Sequence, residues 1–271
     1  MESTDAAITG ERSEARFWKP SRSHLPAVFG LIYFSLAFSL ISVLAFLQKS
    51  PTIDEPIHLF AGYSYLKWGD YRVNPEHPPF AKIWAALPLL AFDLKDPRPS
   101  RPHWDLIPED KYGYPTVDIA NDLLFVDGDG ETLFFYAKLQ MVFLGILLGI
   151  FVYLWTRELF GPGAAFFSLL LYGLDPNILA HSQIVHTDVP FTAFFFIATY
   201  FFWRALDRPG RLDVVLACVF FALAAITKYS SIAILPVWAM LGVAAIFFNR
   251  RASVAAPAGA APHRADDALR L

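Results

Sequence analysis

The stretch "LPAVFGLIYFSLAFSLISVLAFL", from Leu25 to Leu47, contains no charged side chain. A helix needs roughly 20 apolar residues to cross a hydrocarbon core of about 30 Å, so this stretch predicts a membrane span. It follows a polar head at positions 1–24. Because its apolar run is longer than that of a cleaved signal peptide, we expect it to stay in the membrane as an anchor.

The composition of the whole chain agrees with a membrane protein. Of 271 residues, 55% are hydrophobic and only 17% are charged, whereas soluble domains carry roughly a quarter charged residues. These values exclude a disordered chain and an ordinary soluble enzyme. The net charge of −3 offers no basic surface, so nucleic acid is not an expected partner. A single cysteine, Cys218, excludes a disulfide framework.

Five more apolar segments follow along the chain and predict an all-α polytopic bundle of about six spans. They are Leu139–Trp155, Ala164–Leu174, Val189–Trp203, Val214–Thr227 and Ile232–Phe248. The first of these five is expected to begin near Leu133, with Lys138 at its edge. We therefore expect a membrane domain over 25–248, followed by a disordered tail over 249–271 that is rich in Ala and Pro.

The basic residues of the short connections predict the orientation of the bundle. With six spans they all lie on one side, and short loops rich in Lys and Arg face the cytoplasm. Both the head and the tail are therefore expected to be cytoplasmic, with the opposite face extracytoplasmic. The residues concerned are Arg12, Arg16, Lys19, Arg22, Arg157, Arg204, Arg208, Arg211, Arg250 and Arg251.

A long outer segment, at about 48–132, joins the first two spans and exceeds what a structureless loop in a compact protein would need. Hydrophobic spacing predicts helices at Glu55–Trp68, directly after Pro78-Pro79, and at Val117–Val126. The Pro- and Asp-rich stretch Asp93–Tyr114 is expected to be irregular. Because the first two helices are amphipathic and aromatic, we expect them to lie along the membrane interface.

Ionisable side chains and histidines collect on this outer face. Ionisable groups at membrane depth are costly, so they are candidates for function. The predicted topology brings three separate connections, and their polar groups, to one membrane surface. These groups are Asp54 and Glu55 after the first span, Glu76 and His77 between the two interfacial helices, Asp175, His181, His186 and Asp188 before the fourth span, and Lys228 after the fifth.

Structural roles compete with chemical ones for most of these residues. Asp54 and Asp188 each precede a helix and are good N-cap residues. His181 and His186 fit solvated loop histidines, and Lys228 fits an anchor whose ammonium reaches the lipid headgroups. Asp175, followed by Pro176, also fits a turn that ends a helix. Three further residues, Lys67, Arg72 and Lys82, are expected to be solvated and not catalytic.

The motifs that the sequence lacks narrow the chemistry. It contains no GxGxxG fingerprint, P-loop, HExxH pair or GxSxG elbow. Without a nucleotide site, a transfer reaction needs an activated donor that reaches the outer face. A group linked to a lipid phosphate meets that requirement.

Three stretches resemble the GT-C-fold membrane glycosyltransferases. They are "TIDEPIHLFAGYSYLKWGDYRVNPEHPPFAKIWAALPLL" at Thr52–Leu90, "LDPNILAHSQIVHTDVPFTAFF" at Leu174–Phe195 and "AITKYSSIAILP" at Ala225–Pro236. Within that class the chain is similar to the dolichyl-phosphate-mannose protein mannosyltransferases, the bacterial aminoarabinose transferases and the RgtA/B/C/D-like group. The resemblance runs over about 25–248.

This resemblance implies an enzyme that moves a sugar, with inversion, from a polyprenyl-phosphate donor to the hydroxyl of an acceptor protein, lipid or glycan. It also implies a multi-pass protein of the bacterial inner (plasma) membrane that contacts membrane lipids. Such families usually have more spans and a second, C-terminal half. We therefore expect this chain to be the N-terminal part of such an enzyme, or to need a second membrane subunit.

The resemblance also assigns roles residue by residue. Asp54 matches the acid after the first span, which is the catalytic base, and Asp188 matches the second catalytic acid. Glu76 corresponds to an acid that holds a divalent metal ion in the aminoarabinose branch. His77 lies where that branch has a cation facing the phosphate. The other substrate-binding candidates are Glu55, His186 and Lys228.

Two other classes of function stay open from the sequence. A non-catalytic membrane subunit or fragment would bind a lipid-linked sugar or a partner protein without turnover, and the short chain fits it. A transporter would place acids inside its spans, facing a pathway. It ranks third because the acids here gather at one surface instead.

Overall fold

The structure is a computed structural model that describes residues 25–96 and 114–255. The expected cytoplasmic head, positions 97–113 of the expected irregular loop, and the tail after Ala255 lie outside the described residues. Within them every regular element is a helix and there is no strand, which confirms the all-α prediction.

Ten α-helices follow one another in the described ranges. They are α1 (Leu25–Phe46), α2 (Glu55–Trp68), α3 (Phe80–Ala86), α4 (Tyr114–Asn121), α5 (Gly130–Phe160), α6 (Pro162–Leu174), α7 (Pro176–His181), α8 (Asp188–Asp207), α9 (Arg211–Ala225) and α10 (Ile234–Ala255). A 3₁₀ turn continues α3 to Ala91, a π turn continues α4 to Val126, and a 3₁₀ turn at Tyr229–Ala233 precedes α10.

Four segments are long and apolar enough to cross a membrane, which supports an integral membrane protein. They are α1, α5, α8 and Tyr229–Phe247, which includes most of α10. The predicted third and fifth spans are also helices, but α6 and α9 have only 13 and 15 residues. At 1.5 Å per residue they reach about 20 Å, less than the hydrocarbon core of about 30 Å.

Helix α5 is the centre of the bundle and contacts α1, α3, α6 and α8. Its first turn is capped by Asp129, whose carboxylate accepts the Thr132 N–H at 3.3 Å. With 31 residues the helix is about 46 Å long, so it exceeds the hydrocarbon thickness. Its outer part therefore serves as the wall against which the outer helices pack. The Trp84 indole N–H of α3 donates to the Gln140 carbonyl of α5 at 2.9 Å.

The outer segment forms a core of its own. Helix α2 has the predicted bounds, but it is buried over Glu55–Tyr65 instead of presenting one polar face. Leu59, Phe60 and Tyr63 are fully buried in one cluster with side chains of α4 and α5. The predicted interfacial position of α2 did not include packing on its second face. The spacing of apolar residues along α2 does not show which elements pack there.

At the opposite end of the bundle, the ends of α5 and α8 meet the start of α9. The Arg204 guanidinium lies 3.2 Å from Glu158 and 3.2 Å from Asp213. The Tyr200 hydroxyl donates to Glu158 at 2.7 Å. Two connections, α5–α6 and α8–α9, therefore meet at this end, away from the polar groups of the outer segment.

Candidate functional site

The start of α2 separates two neighbouring acids. Asp54 occupies the N-cap position, but its side chain makes no capping hydrogen bond and is exposed. Its carbonyl accepts the His58 N–H at 3.1 Å. The capping reading of the Asp54 carboxylate is therefore wrong. The carboxylate remains open to solvent, one helical turn from His58.

Glu55 turns into the protein. Its side chain is 1% exposed, and one carboxylate oxygen lies 3.3 Å from the Lys138 ammonium of α5. The same oxygen accepts the Thr52 N–H at 3.4 Å. Burial raises the pKa of Glu55, while Lys138 opposes that shift. Through these contacts Glu55 connects α2 to α5 by a buried ion pair, away from solvent.

The loop before α8 brings Asp188 to Lys228. Helix α8 begins at Asp188 itself, with Thr187 in the N-cap position and no side-chain cap, so the capping reading of Asp188 is wrong. The carboxylate instead accepts a hydrogen bond from the Lys228 ammonium at 2.5 Å. Its other oxygen lies 3.2 Å from Nδ1 of His186. Lys228 therefore binds a carboxylate and is not simply a headgroup anchor.

Three imidazole rings line this ion pair. The ring centroids of His58 and His186 are 4.9 Å apart. The His77 centroid lies 6.5 Å from that of His58 and 6.4 Å from that of His186. His58 comes from α2, His77 from the turn before α3 and His186 from the loop before α8. We call these three histidines together with Asp188 and Lys228 the outer cluster.

A backbone hydrogen bond fixes the three connections relative to one another. The Phe80 N–H, at the start of α3, donates to the Ile226 carbonyl at 3.0 Å. The Phe80 ring also contacts Phe194 of α8, with centroids 5.3 Å apart. The turn that carries His77, the turn that carries Lys228 and the helix that carries Asp188 are thus held together.

The histidines of the outer segment are neutral at neutral pH. Burial, together with the charges of His186 and Lys82, lowers the pKa of His58 to about 3. Burial and the Lys228 ammonium lower the pKa of His77. In the protein without a ligand His77 is therefore uncharged. The positive charge next to Asp188 comes from Lys228.

A metal centre finds no support in the described residues. Within 25–96 and 114–255, no three His, Cys, Asp or Glu side chains gather in a way that could hold an ion. Glu76 is exposed at the surface of its turn. The residues therefore do not fit the metal that the resemblance implies, and no chemical step is assigned to one.

Two cavities border the site. One of about 270 Å³ lies between α5, α6 and α8 below the α7 turn, and Asp188, Ser182 and Asn177 contribute polar groups to its wall. A larger one, of about 460 Å³, lies at the outer ends of α1 and α5 and includes Lys138 in its wall. Lys138 therefore borders the larger cavity, and Asp188 borders the smaller one.

The structure brings together four of the nine polar residues that the sequence singled out on this face. His77, His186, Asp188 and Lys228 meet in the outer cluster, whereas Asp54 and Glu76 stand exposed near it. His181 is exposed as predicted, but it lies at the end of helix α7 and not in a loop. Asp175 caps α7, since its carboxylate accepts the Asn177 N–H at 2.8 Å and the Ile178 N–H at 3.0 Å.

Sequence reasoning missed three buried residues. His58 was not selected, although it stands four residues after Asp54 and so one turn further along the same helix face. Lys82 was expected in water but is 1% exposed, and Lys138 was placed at a span edge but is 5% exposed. The sequence does contain a signal that these two lysines are buried, because each stands between apolar residues of a predicted helix.

Comparison with known proteins adds one finding. No curated protein and no solved structure matches the chain. Residues 130–260, from the start of α5 onwards, match the sequence model of the family described as dolichyl-phosphate-mannose-protein mannosyltransferase. This part of the chain, which carries His186, Asp188 and Lys228, is therefore similar to membrane glycosyltransferases of the GT-C type.

Proposed function

We propose that this protein transfers a sugar from a polyprenyl-phosphate donor to an acceptor hydroxyl of a protein, lipid or glycan, with inversion at the anomeric carbon. The outer cluster carries the proposal, because it gathers a carboxylate, an ammonium and three imidazoles at one end of a membrane bundle. The family match supports the class of reaction. In this proposal the cluster faces the outside of the plasma membrane and both termini face the cytoplasm.

Asp54 is the better general base of the two candidate acids. Its carboxylate is exposed, and no ion pair or hydrogen bond engages it within the described residues. Asp188 is instead held by Lys228 at 2.5 Å and by His186 at 3.2 Å. A carboxylate in two such contacts is a weaker proton acceptor, because its charged form is already stabilised.

The proposed reaction is a single displacement. The acceptor oxygen forms a bond to the anomeric carbon while its proton passes to Asp54. The bond between that carbon and the phosphate oxygen breaks, and the electron pair leaves with the lipid phosphate. General-base assistance of this kind contributes about 10²–10⁴-fold to the rate.

The leaving phosphate gains negative charge, which Lys228 is placed to neutralise. Asp188 holds the ammonium in position, so the charge need not reorganise during the reaction. His77 is neutral in the free protein, but a phosphate anion beside it would favour its protonated form. His186, which contacts both Asp188 and His58, completes this binding surface.

Replacement of Asp54 by asparagine tests the proposal. The purified complete protein is reconstituted into vesicles with polyprenyl-phosphate mannose, the donor class in the name of the matched family, and transfer of labelled sugar is measured. We expect Asp54→Asn to lower turnover by about 100-fold or more. Folding should not change, because the Asp54 side chain makes no hydrogen bond to its helix.

Asp118→Asn is the matched control, because Asp118 is an exposed acid on α4 outside the outer cluster. It should leave both turnover and the thermal midpoint of unfolding unchanged. Full turnover of the Asp54→Asn protein would remove Asp54 from the reaction. Absence of transfer by the wild-type protein with any polyprenyl-phosphate sugar would contradict the proposed function.

A further inference from the structure

Lys82 is a buried lysine that the proposed reaction does not use. It lies on α3 and is 1% exposed. Its ammonium has three N–H donors, and three oxygens surround them. The ammonium donates to the Asn74 carbonyl, to the His77 carbonyl at 2.9 Å and to the Tyr65 hydroxyl at 3.2 Å. Every donor is therefore engaged inside the protein.

These contacts close a small clamp around the turn that carries Glu76 and His77. The Tyr65 hydroxyl donates in turn to the Val73 carbonyl at 2.5 Å, so both ends of the turn are tied to α2 and α3. Asn74 has a φ of 48°, a left-handed conformation that costs free energy for any residue other than glycine. The turn thus keeps a strained backbone that Lys82 and Tyr65 stabilise.

Helix α3 is itself fixed to the rest of the site. Its first N–H, from Phe80, bonds the Ile226 carbonyl at 3.0 Å, two residues before Lys228. Its Trp84 indole bonds the Gln140 carbonyl of α5 at 2.9 Å. Lys82 therefore connects the turn to a helix whose position relative to Lys228 and α5 is already set.

A buried ammonium works against folding. Burial lowers the pKa of Lys82 to about 8, which shows that the interior disfavours its charged form. An apolar side chain of similar size would avoid that penalty. What offsets this penalty is the set of hydrogen bonds that the ammonium makes, two of which go to the backbone of the turn beside the outer cluster.

We infer that Lys82 is a positioning residue that fixes the turn at positions 73–79 and thereby holds His77 beside His186 and the Asp188–Lys228 pair. Its consequence for catalysis rests on the proposed function, in which His77 would face the lipid phosphate. The inference about the turn itself does not depend on that function.

Hydrogen exchange on the purified complete protein tests the first half of the inference. In Lys82→Met, the amides of Asn74, Glu76 and His77 should exchange about tenfold faster or more, while those of α5 stay protected. Lys67→Met is the matched control, because Lys67 is an exposed lysine at the end of the neighbouring helix α2. Unchanged exchange in the turn, or faster exchange everywhere, would overturn the inference.

Transfer kinetics test the second half. A positioning role predicts that kcat falls on the order of 100-fold in Lys82→Met, because small misplacements of groups around the reacting atoms are costly. Tyr65→Phe removes one acceptor of Lys82 and keeps the core packed, so it should loosen the same amides to a smaller extent even if Lys82→Met fails to fold. A loosened turn with unchanged kcat would reject the positioning role. Absence of transfer by the wild-type protein would reject the proposed function, while the exchange data would still decide whether Lys82 holds the turn.

Discussion

At the scale of single residues, the outer segment depends on charges that water does not reach. Glu55 and Lys138 have side chains 1% and 6% exposed, and they meet at 3.3 Å. Desolvation raises the pKa of Glu55 despite its partner. The pair therefore holds α2 on α5 only as long as both members are present, because either one alone would be a buried, unpaired charge.

Lys138→Met should lower the free energy of unfolding by about 3–5 kcal/mol, the range for breaking a buried ion pair from one side. The measurement is the thermal midpoint of unfolding of the detergent-purified protein. The double variant Glu55→Gln, Lys138→Met removes both charges and should recover much of the loss. A double variant no more stable than the single one would show that packing of the Lys138 stem, and not the unpaired acid, causes the effect.

At the scale of elements, the crossing of α2 and α3 determines where the turn between them lies. A Cβ at Gly62 would collide with the backbone carbonyl of Lys82 and would lie 2.9 Å from the Ala86 Cβ. Only glycine allows the two helix backbones to come this close. The same contact sets the position of Lys82, and through it the turn that carries His77.

Gly62→Ala should therefore push α3 away from α2 and destabilise the protein by about 1–3 kcal/mol, the usual cost of overpacking. The loss should appear as a lower thermal midpoint. Gly163→Ala is the control, because a Cβ at that α6 position meets no atom within 4 Å. If the two variants have equal midpoints, the backbone at the crossing adjusts freely and the close approach of α2 and α3 does not matter.

At the scale of the whole molecule, the polar groups divide between two ends of the bundle. The outer cluster lies at one end, and the Glu158–Arg204–Asp213 contacts lie at the other. Helices α6 and α9 connect these ends although each is shorter than a full span. Within α6 only Ala165, Leu169 and Tyr172 are buried, and within α9 only Ala217 and Ala224, so both short helices keep much of their apolar surface exposed.

Cysteine labelling in intact cells tests the proposed orientation, with the outer cluster outside the plasma membrane and the opposite end of the bundle in the cytoplasm. In a Cys218→Ser background, Lys67→Cys at the outer end should react with a membrane-impermeant maleimide added from outside. Arg208→Cys, whose native side chain is 90% exposed at the other end, should react only after permeabilisation. Both residues lie outside the spans, so the label reports sidedness directly. Labelling of both from the same side would contradict the six-helix topology.

Hydrophobic runs and the prolines and glycines that end them allowed the helices to be predicted from the sequence. The bounds of α2 were correct, because they depend on neighbours along the chain. The sequence also singles out Asp54 and Asp188, since acids beside a membrane span are unusual, and their catalytic roles stay a prediction. The capping role that it allowed both side chains was wrong, because capping depends on backbone angles that the sequence does not fix.

The sequence by itself determined an all-α membrane protein with polar groups gathered at the connections of one face, because hydrophobic period and charge are properties of the chain itself. Only the tertiary structure decided that Glu55 pairs with Lys138, that Asp188 pairs with Lys228 and that Lys82 is buried. Each of these contacts joins residues far apart in sequence or turned inward by packing. The free energy of a charge depends on the solvent and partners around it, and those exist only once the helices have packed.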